Sequence, residues 1–268
     1  MSSLEAHYPA ENIEDRILQA IRNAGLNPEQ LINPEELGAL DHFHTGGLMA
    51  SRELMELAEI GPEDYVLDIG AGLAGAARFL ASCTGCKIDC LEMSEDYCIG
   101  ANLLNRITGL ENQINVHQGN ALALPFPDDR FDVFWMQNVG MNIDDKNKLY
   151  QEIYRVLKPG GKFVFQEMAA GELETIYYPL PWASVPDCNH LIPKLLMSDI
   201  LGTCGFQEII LEDTSDTHLN RPVSNAKPSA ENTLSLGAYV ENLGEKAGNA
   251  RRSLEEGRVR LIRGLFIA

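Results

Sequence analysis

The feature that most constrains this sequence is a regular alternation of short apolar runs and helical segments that begins at Tyr65. The run YVLDI (65–69) is followed by a glycine-rich turn and a helical segment, and KIDCLE (87–92) starts the pattern again. Strands that alternate with helices build a parallel sheet with helices on both faces. We therefore predict an α/β fold with a Rossmann-like, doubly wound sheet, and further strands at 114–118, 131–137, 162–168 and 259–267.

Helical segments precede the first strand. Ile13, Ile17, Ile21 and Ala24 form one apolar stripe at helical spacing before Gly25, which is typical of a helix end. Two more helices are predicted at about 34–40 and 48–59. We interpret residues 1–60 as an N-terminal helical extension.

The remainder, 61–268, is interpreted as one domain with an insertion at 170–192. A helix at about 193–203 and an apolar segment at 206–211 follow the insertion. Residues 230–256 are predicted to form a long helix that covers the sheet, with a homodimer contact as an alternative role for its surface.

Charge and composition limit the partners of this chain. Its net charge is −18, with 39 acidic and 21 basic residues, whereas nucleic acids and anionic membranes require clustered Lys and Arg. No basic region followed by an apolar run stands at the N-terminus, and no stretch approaches the roughly 18 apolar residues of a membrane span. We expect a cytoplasmic protein that binds neither nucleic acid nor membrane.

The six cysteines are expected to be reduced in such a compartment. Cys83 and Cys86 have the spacing of a metal-binding or redox pair. A zinc site would need a second cysteine pair or a nearby histidine, which the sequence does not supply. No metal site is predicted.

The turn after the first strand carries the pattern G-x-G-x-x-G, in which Gly70 and Gly72 are the first two glycines. Such glycines allow a tight turn and a close approach of a ligand to the following helix N-terminus. The pattern alone does not distinguish nicotinamide, flavin and S-adenosylmethionine (SAM) sites. Asp68, just before the turn, is placed to orient the ammonium group of a ligand, or else to cap the turn.

Further candidate cofactor residues follow the second and third strands. Glu92 ends the second strand, where a carboxylate can accept hydrogen bonds from both ribose hydroxyls, or else is a solvated strand end. Asn120 and Ala121 are expected to contact the edge of an adenine, with Met93 and Leu122 on its two faces. Ligands of open α/β sheets bind at the carboxyl ends of strands, where all these residues lie.

Together these motifs resemble the class I SAM-dependent methyltransferases, and within them the UbiE/COQ5-like branch. The resemblance rests on VLDIGAGLAG, CLEMS, GNALALPFPDDRFDVFW and RVLKPGG, within roughly residues 60–170. It implies SAM as cofactor, S-adenosylhomocysteine as product, and a seven-stranded sheet whose last strand, VRLIRGLFI, is antiparallel and adjoins strand five. It also implies that 61–268 is the methyltransferase domain, that residues 1–60 cover its active site, and that the insertion at 170–192 lies on the substrate side. The family often has Asp where this chain has Asn120, so the polarity of the adenine contact differs.

A narrower similarity links this chain to bacterial sarcosine/dimethylglycine N-methyltransferase-like proteins. It rests on ALDHFHTGGLMASRELMELAEI before the first strand, on the stretch 136–143, and on PLPWA at 179–183. This similarity implies a small amine as the methyl acceptor.

Candidate residues for the acceptor lie in three places. His42 and His44, in the turn before the third helix, are candidate general bases, with a connection between two helices as the alternative role. At the end of the fourth strand, Gln137 is expected to line the cofactor, and Asn138 and Asn142 the acceptor, unless the asparagines only form the turn.

The third place lies at the end of the fifth strand, where Glu167 is a candidate catalytic carboxylate. Tyr177, Tyr178 and Trp182 follow in the insertion. They would enclose an alkylammonium by cation–π attraction, stack on a flat acceptor, or form a lid. His190 is a weaker candidate base, and His117, inside the third strand, is expected to be structural.

We predict methyl transfer to a small-molecule acceptor, with a sarcosine- or dimethylglycine-like amine favoured. Methylation of oxygen or carbon on a natural-product or quinone-like acceptor is the main alternative, and a non-catalytic SAM-binding protein is another. A nicotinamide oxidoreductase leaves GNALALPFPDDRFD and LKPGG unexplained. An amino-acid acceptor would need an arginine to bind its carboxylate, for which the candidates are Arg52, Arg155 and Arg221.

Overall fold

The chain folds around one seven-stranded sheet, as a computed structural model of residues 12–221 and 234–268 shows. The strands in chain order are β1 (Tyr65–Ile69), β2 (Lys87–Glu92), β3 (Ile114–Gln118), β4 (Phe131–Gln137), β5 (Leu157–Ala170), β6 (Gln207–Asp213) and β7 (Val259–Ile267). Their order across the sheet is β3-β2-β1-β4-β5-β7-β6, and β7 is antiparallel to both of its neighbours. The predicted seven-stranded α/β sheet with an antiparallel last strand beside strand five is confirmed.

Nine helices are described in residues 12–221 and 234–268. They are α1 (Ile13–Asn23), α2 (Gly38–Asp41), α3 (Gly47–Ala58), α4 (Gly75–Thr84), α5 (Glu95–Ile107), α6 (Lys146–Val156), α7 (Lys194–Thr203), α8 (Ser215–Leu219) and α9 (Leu243–Glu255). Short 3-10 turns lie at Pro34–Leu37, Gly140–Asn142, Pro186–Cys188 and Leu236–Ala238.

The central strands are buried on both faces, which explains why they are nearly continuous apolar runs. Phe134 and Trp135 are neighbours in β4 and both are fully buried. Because side chains alternate along a strand, Phe134 packs into the cluster on one face and Trp135 into the cluster on the other. The two layers hold the carboxyl ends of β1, β2 and β4 in fixed relative positions.

The N-terminal helices form a cover, residues 13–58, over one end of the sheet. Ile13, Ile17 and Ile21 of α1 are buried in a cluster that includes Leu104 of α5 and Tyr239. The spacing of the three isoleucines predicted this face correctly, since they lie on one side of the helix.

A buried ion pair joins the cover to the helix after β1. Arg78 of α4 is fully buried and donates to Asp41 over 2.7 Å and to Asn105 over 2.8 Å. His42 lies 2.9 Å from the other oxygen of Asp41. Removing one member of such a pair leaves an uncompensated buried charge, so this contact fixes the cover on the sheet.

The predicted long helix at 230–256 is confirmed only over α9, and it is wrong for residues 234–242. Helix α9 begins at Leu243, after Asn242 adopts a left-handed conformation with φ of 53°; residues 230–233 lie outside the described part of the chain. The predicted apolar positions before it, Leu234, Leu236, Tyr239 and Val240, pack with the cover instead of covering the sheet. Tyr239 donates its hydroxyl hydrogen to the carbonyl of Leu40 over 2.8 Å, which ties this segment to α2.

Candidate active site

One large cavity lies between the cover and the carboxyl ends of β1, β2 and β4. Its volume is about 1360 Å³. Pockets for one drug-sized ligand are usually in the range of roughly 300–1,000 Å³. The cavity therefore has room for a cofactor together with a second molecule.

The glycine-rich turn lets two other segments approach the cavity closely. A Cβ atom on Gly70 would come within 2.5 Å of Val139, which follows β4, and one on Gly75 would come within 2.4 Å of the Asp41 carbonyl oxygen. Gly70 and Gly72 both have positive φ, of 59° and 55°. The turn thus brings the end of β4 and the cover together around one space.

Asp68, at the end of β1, is the most buried acidic group lining the cavity on the β1–β2 side. Its Oδ2 atom finds no hydrogen-bond partner among the described residues. Burial, and then the negative charge of Glu92, raise the pKa of Asp68 to about 8. A buried carboxyl with an unused oxygen fits a cationic ligand group, which would both neutralise it and complete its hydrogen bonds.

Glu92 lines the same side of the cavity, and its orientation is fixed by two backbone groups. Its carboxylate accepts from the N–H of Gly72 over 3.0 Å and from that of Ser94 over 2.9 Å. Met93 follows it along the cavity wall. The carboxylate is therefore held in position while retaining lone pairs for ligand hydroxyls.

The turn after β3 completes this half of the cavity. Asn120, Ala121 and Leu122 all line it. Asn120 accepts from the N–H of Leu122 over 2.8 Å through its side-chain oxygen. The amide nitrogen of Asn120, a donor, is thus the end left for a ligand, whereas an Asp would offer an acceptor there.

His44 lies in the cavity wall within a closed hydrogen-bond network. Gln137 accepts from the indole N–H of Trp135 over 3.1 Å, and because that group only donates, the contacting atom of Gln137 is its oxygen. Ser51 donates to the same oxygen over 3.0 Å, so its own oxygen accepts from His44 Nε2 over 3.2 Å. Gln137 Nε2 lies 3.4 Å from His44 Nδ1.

This network assigns a single neutral form to His44. Nε2 carries the proton, and Nδ1 accepts from Gln137. Burial, and then the neighbouring His42, lower the pKa of His44 to about 3. Both ring nitrogens are engaged, which makes His44 a poor proton acceptor for a bound molecule.

The turn after β4 carries Asn138 and Asn142, and both line the cavity. Asn138 has a positive φ of 54° and accepts from the N–H of Thr45 over 3.1 Å, which links the turn to the cover. Asn142 donates to the carbonyl oxygen of Trp182 over 2.6 Å and so holds the insertion in place. Both side chains thus have structural contacts as well as a position at the cavity.

Glu167 lies beneath this turn and does not line the cavity. One of its oxygens accepts from the N–H groups of Val139 and Gly140 over 2.7 and 2.9 Å. Burial, opposed by those two hydrogen bonds, raises the pKa of Glu167 to about 7. This position supports the backbone of the turn and makes no contact with the cavity.

The other predicted residues divide between the cavity and the surrounding structure. Trp182 lines the cavity and donates to Asn189 over 2.8 Å, and His190 also lines it. His42 is buried against Asp41 outside the cavity lining. Tyr178 also lies outside, accepting from Asn189 over 2.9 Å.

Tyr177 is placed away from the cavity, against α9 and the loop that follows it. Its ring lies 3.9 Å from the guanidinium carbon of Arg252 and 4.7 Å from that of Arg258. Two arginines of the protein thus make the cation–π contacts that were predicted for an alkylammonium ligand. Trp182 is thus the one aromatic residue of the three that faces the cavity.

The three arginines proposed for a carboxylate bind the protein's own acids and lie outside the cavity lining. Arg52 contacts Glu35 and Arg221 contacts Glu53, while Arg155 contacts Asp128 and Glu152. His117, on β3, lies 3.5 Å from Asp89 and edge-on to Phe126, outside the cavity as well.

Sequence reasoning missed the residues that α8 and α9 contribute to the cavity. His218, with Leu219, comes from α8, and Arg251 from a helix face that also holds Leu243, Ala247, Ala250 and Leu254. The signal was present, since these four apolar residues share one helical stripe. Periodicity alone does not tell a stripe that lines a cavity from one that packs on a sheet.

Comparison with known proteins identifies the part of the chain that surrounds the cavity. A family model described as a methyltransferase domain matches residues 67–165, from β1 to β5. Over these residues the chain is similar to the class I SAM-dependent methyltransferases. SAM is the cofactor class of that family, whereas the narrower UbiE/COQ5-like branch stays a prediction.

Curated relatives share part of this sequence. A glycine/sarcosine/dimethylglycine N-methyltransferase of Actinopolyspora halophila is 34% identical over 66% of this chain and 32% of its own length. A sarcosine/dimethylglycine N-methyltransferase of Halorhodospira halochloris is 36% identical over 58% of this chain and 56% of its own length. The matched regions thus span 32% and 56% of the length of these two relatives.

A solved structure shows the same fold over nearly the whole chain. It is described as a putative sarcosine dimethylglycine methyltransferase from Galdieria sulphuraria. The TM-score is 0.66 at 22% identity, covering 94% of this chain and 98% of that one.

Neither a membrane span nor a metal cluster is found in the described ranges. No helix there is long and apolar enough to cross a membrane. Within residues 12–221 and 234–268, no three His, Cys, Asp or Glu side chains are grouped so that they could hold a metal ion.

Proposed function

We propose that this protein transfers the methyl group of SAM to an amine nitrogen of a small molecule. The observation that carries the proposal is the closed network around His44, which leaves this cavity histidine neutral and without a free lone pair. A neutral amine attacks with its own lone pair and needs no base, whereas a phenol or an acidic carbon must first lose a proton. The names of the two curated relatives also describe N-methyltransferases.

The cofactor residues of the proposal lie on the β1–β2–β3 side of the cavity. Asp68 would bind the ammonium group, Glu92 the ribose hydroxyls, and Asn120 with Ala121 the adenine edge between Met93 and Leu122. SAM supplies an electrophilic methyl group on a sulfonium. The protein's part is to align the acceptor with that methyl group and to exclude water.

Calorimetric titration tests the cofactor residues. We expect micromolar binding of SAM and S-adenosylhomocysteine, no binding of NADH, and loss of binding in Asp68→Ala and Glu92→Ala. Asp128→Ala, at an exposed carboxylate outside the cavity, is the matched control and should bind as the wild type does. Unchanged affinity in both cavity variants would contradict this placement.

Methylation assays test the acceptor. A panel of amines, phenols and enolisable ketones is supplied with SAM, and the methylated atom is located by mass spectrometry and NMR. The proposal expects N-methylated products. O- or C-methylated products without any N-methylation would show that the acceptor assignment is wrong.

The variant His44→Gln tests the role of the network. If His44 only positions the turn, we expect a loss of tenfold or less in kcat/KM and an unchanged pH profile. Loss of a general base typically costs about 10²–10⁴-fold, with disappearance of the corresponding pKa from the profile. That second outcome would instead make His44 the base, and Ser51→Ala serves as a control that weakens the network without removing the imidazole.

A further inference from the structure

We propose that the methylated amine is carried on an elongated apolar body, and that this body lies along α9 over Ala247 and Ala250. The inference rests on the proposed amine acceptor and adds the substrate class. It makes Ala247 and Ala250 specificity-determining residues.

The position of α9 separates it from the cofactor half of the cavity. Asp68, Glu92 and Asn120 lie after β1, β2 and β3. Helix α9 leads into β7, on the other side of β4, and Leu254 near its end packs with Met141 and Trp182. A molecule lying against α9 would therefore occupy the acceptor half.

The side chains on the face of α9 that lines the cavity differ in size along the helix. Leu243 packs with the cover, and Leu254 packs with the insertion. Between them stand Ala247, which is exposed, and Ala250, which is half-buried, and both line the cavity. Two small side chains between two anchored leucines leave a shallow apolar groove on the helix.

The length of this groove suits an alkyl chain or a fused ring system better than a free amino acid. Leu243 and Leu254 are eleven residues apart, which on an α-helix corresponds to roughly 16 Å. Met141, Met168 and Trp182, which pack in one apolar cluster with Leu254, also line the cavity. Apolar surface of this extent, left open in a cavity, is typical of a ligand-binding groove.

Helices α8 and α9 bring two ionisable side chains to the cavity, those of His218 and Arg251. Arg251 lines the cavity, but its side chain is 55% exposed and contacts Glu255 over 2.8 Å. The Nδ1 atom of His218 is buried without a hydrogen-bond partner in the described structure. A sarcosine-like acceptor would have to place its carboxylate at these side chains, so amino acids are the natural competitors in a test.

The test is a series of N-methyl-n-alkylamines of increasing chain length, with sarcosine and dimethylglycine alongside, assayed by S-adenosylhomocysteine release. Each buried methylene should raise kcat/KM roughly fourfold until the groove is full. In Ala250→Leu and Ala247→Leu the gain should stop at a shorter chain. Gly248→Leu adds the same side chain to the same helix where an added Cβ meets nothing within 4 Å, and it should behave as the wild type does.

The possible results separate this inference from the proposed function. N-methylation that does not depend on chain length, or that is best with sarcosine or dimethylglycine, would overturn the groove while leaving the amine assignment intact. Equal effects of Ala250→Leu and Gly248→Leu would also overturn it. If no amine reacts and 4-alkylphenols do, the amine assignment fails, and the same chain-length series in the phenols then decides the groove.

Discussion

Burial of the Asp68 carboxyl in the candidate site lowers the stability of the folded protein at neutral pH. A carboxyl with a pKa of about 8 is mostly protonated at neutral pH, although its ordinary value is 3.8. Burial near Glu92 creates this condition in the unliganded protein. A cation in the cavity would reverse it by stabilising the carboxylate.

This shift predicts a pH-dependent difference between the wild type and Asp68→Asn without ligand. The folded wild type holds a proton that the unfolded chain releases, so this contribution to stability is full below pH 4 and is lost as pH rises through about 8. Asparagine stays neutral throughout. Thermal unfolding from pH 5 to 9 should therefore show the stability of Asp68→Asn rising relative to that of the wild type, by up to a few kcal/mol.

Asp132→Asn is the control for that measurement. Burial opposes ionisation of Asp132, but hydrogen bonds from Lys158 and the N–H of Tyr65 lower its pKa below 3.8. Its difference from the wild type should therefore stay constant above pH 5. A parallel, flat pH dependence for Asp68→Asn would show that Asp68 is ionised in the folded protein.

The role of a residue could be predicted from the sequence only where the fold of the backbone determines the position of that residue. Asp68 and Glu92 end parallel strands, and strand ends determine their positions at the cavity. Tyr177 was predicted to face a ligand, but its ring contacts Arg252 and Arg258, which lie more than seventy positions away in the sequence. No local pattern carries that contact.

Gly75, the third glycine of the turn, allows the cover to lie close to helix α4. Gly75 begins α4, and a Cβ atom there would meet the Asp41 carbonyl oxygen at 2.4 Å and His42 Nδ1 at 2.7 Å. Backbone atoms cannot rotate away as a flexible side chain can. The cover can approach α4 only because this residue is glycine.

We therefore predict that Gly75→Ala destabilises the protein by about 1–3 kcal/mol in urea denaturation, as overpacking does. Alanine normally stabilises a helix relative to glycine by up to about 1 kcal/mol. Gly202→Ala in α7, where an added Cβ meets nothing within 4 Å, should show that gain. Equal effects of the two substitutions would show that the cover does not press on α4.

The first strands of the sheet could be predicted from the sequence better than the segment that precedes α9. Strands β1 to β4 have the predicted bounds, because buried parallel strands are marked by their apolar runs. Strand β5 begins at Leu157, earlier than predicted, since Leu157 pairs with Phe131 ahead of the shift in register. The segment before α9 failed because Tyr239 contacts Leu40, and contacts across the chain override local helical spacing.

In the molecule as a whole, the two halves of the sheet line different parts of the cavity. The β1–β2–β3 half holds the carboxylates expected to bind the cofactor, and the β4–β5 half, with α9, combines the polar side chains of the turn after β4 with the apolar face of α9. The sequence predicted the first half through family motifs. It predicted only part of the second: Asn138, Asn142 and Trp182 line the cavity, whereas the residues that α8 and α9 contribute were missed.

In the proposed reaction the attacking nitrogen uses its own lone pair, and His44 does not act as a base. The most direct test is the pH dependence of kcat/KM for two amines of the same shape but widely different amine pKa values. We predict that the midpoint of the rising limb follows the pKa of each amine. One midpoint common to both amines, and absent in His44→Gln, would assign proton removal to the protein and contradict the claim.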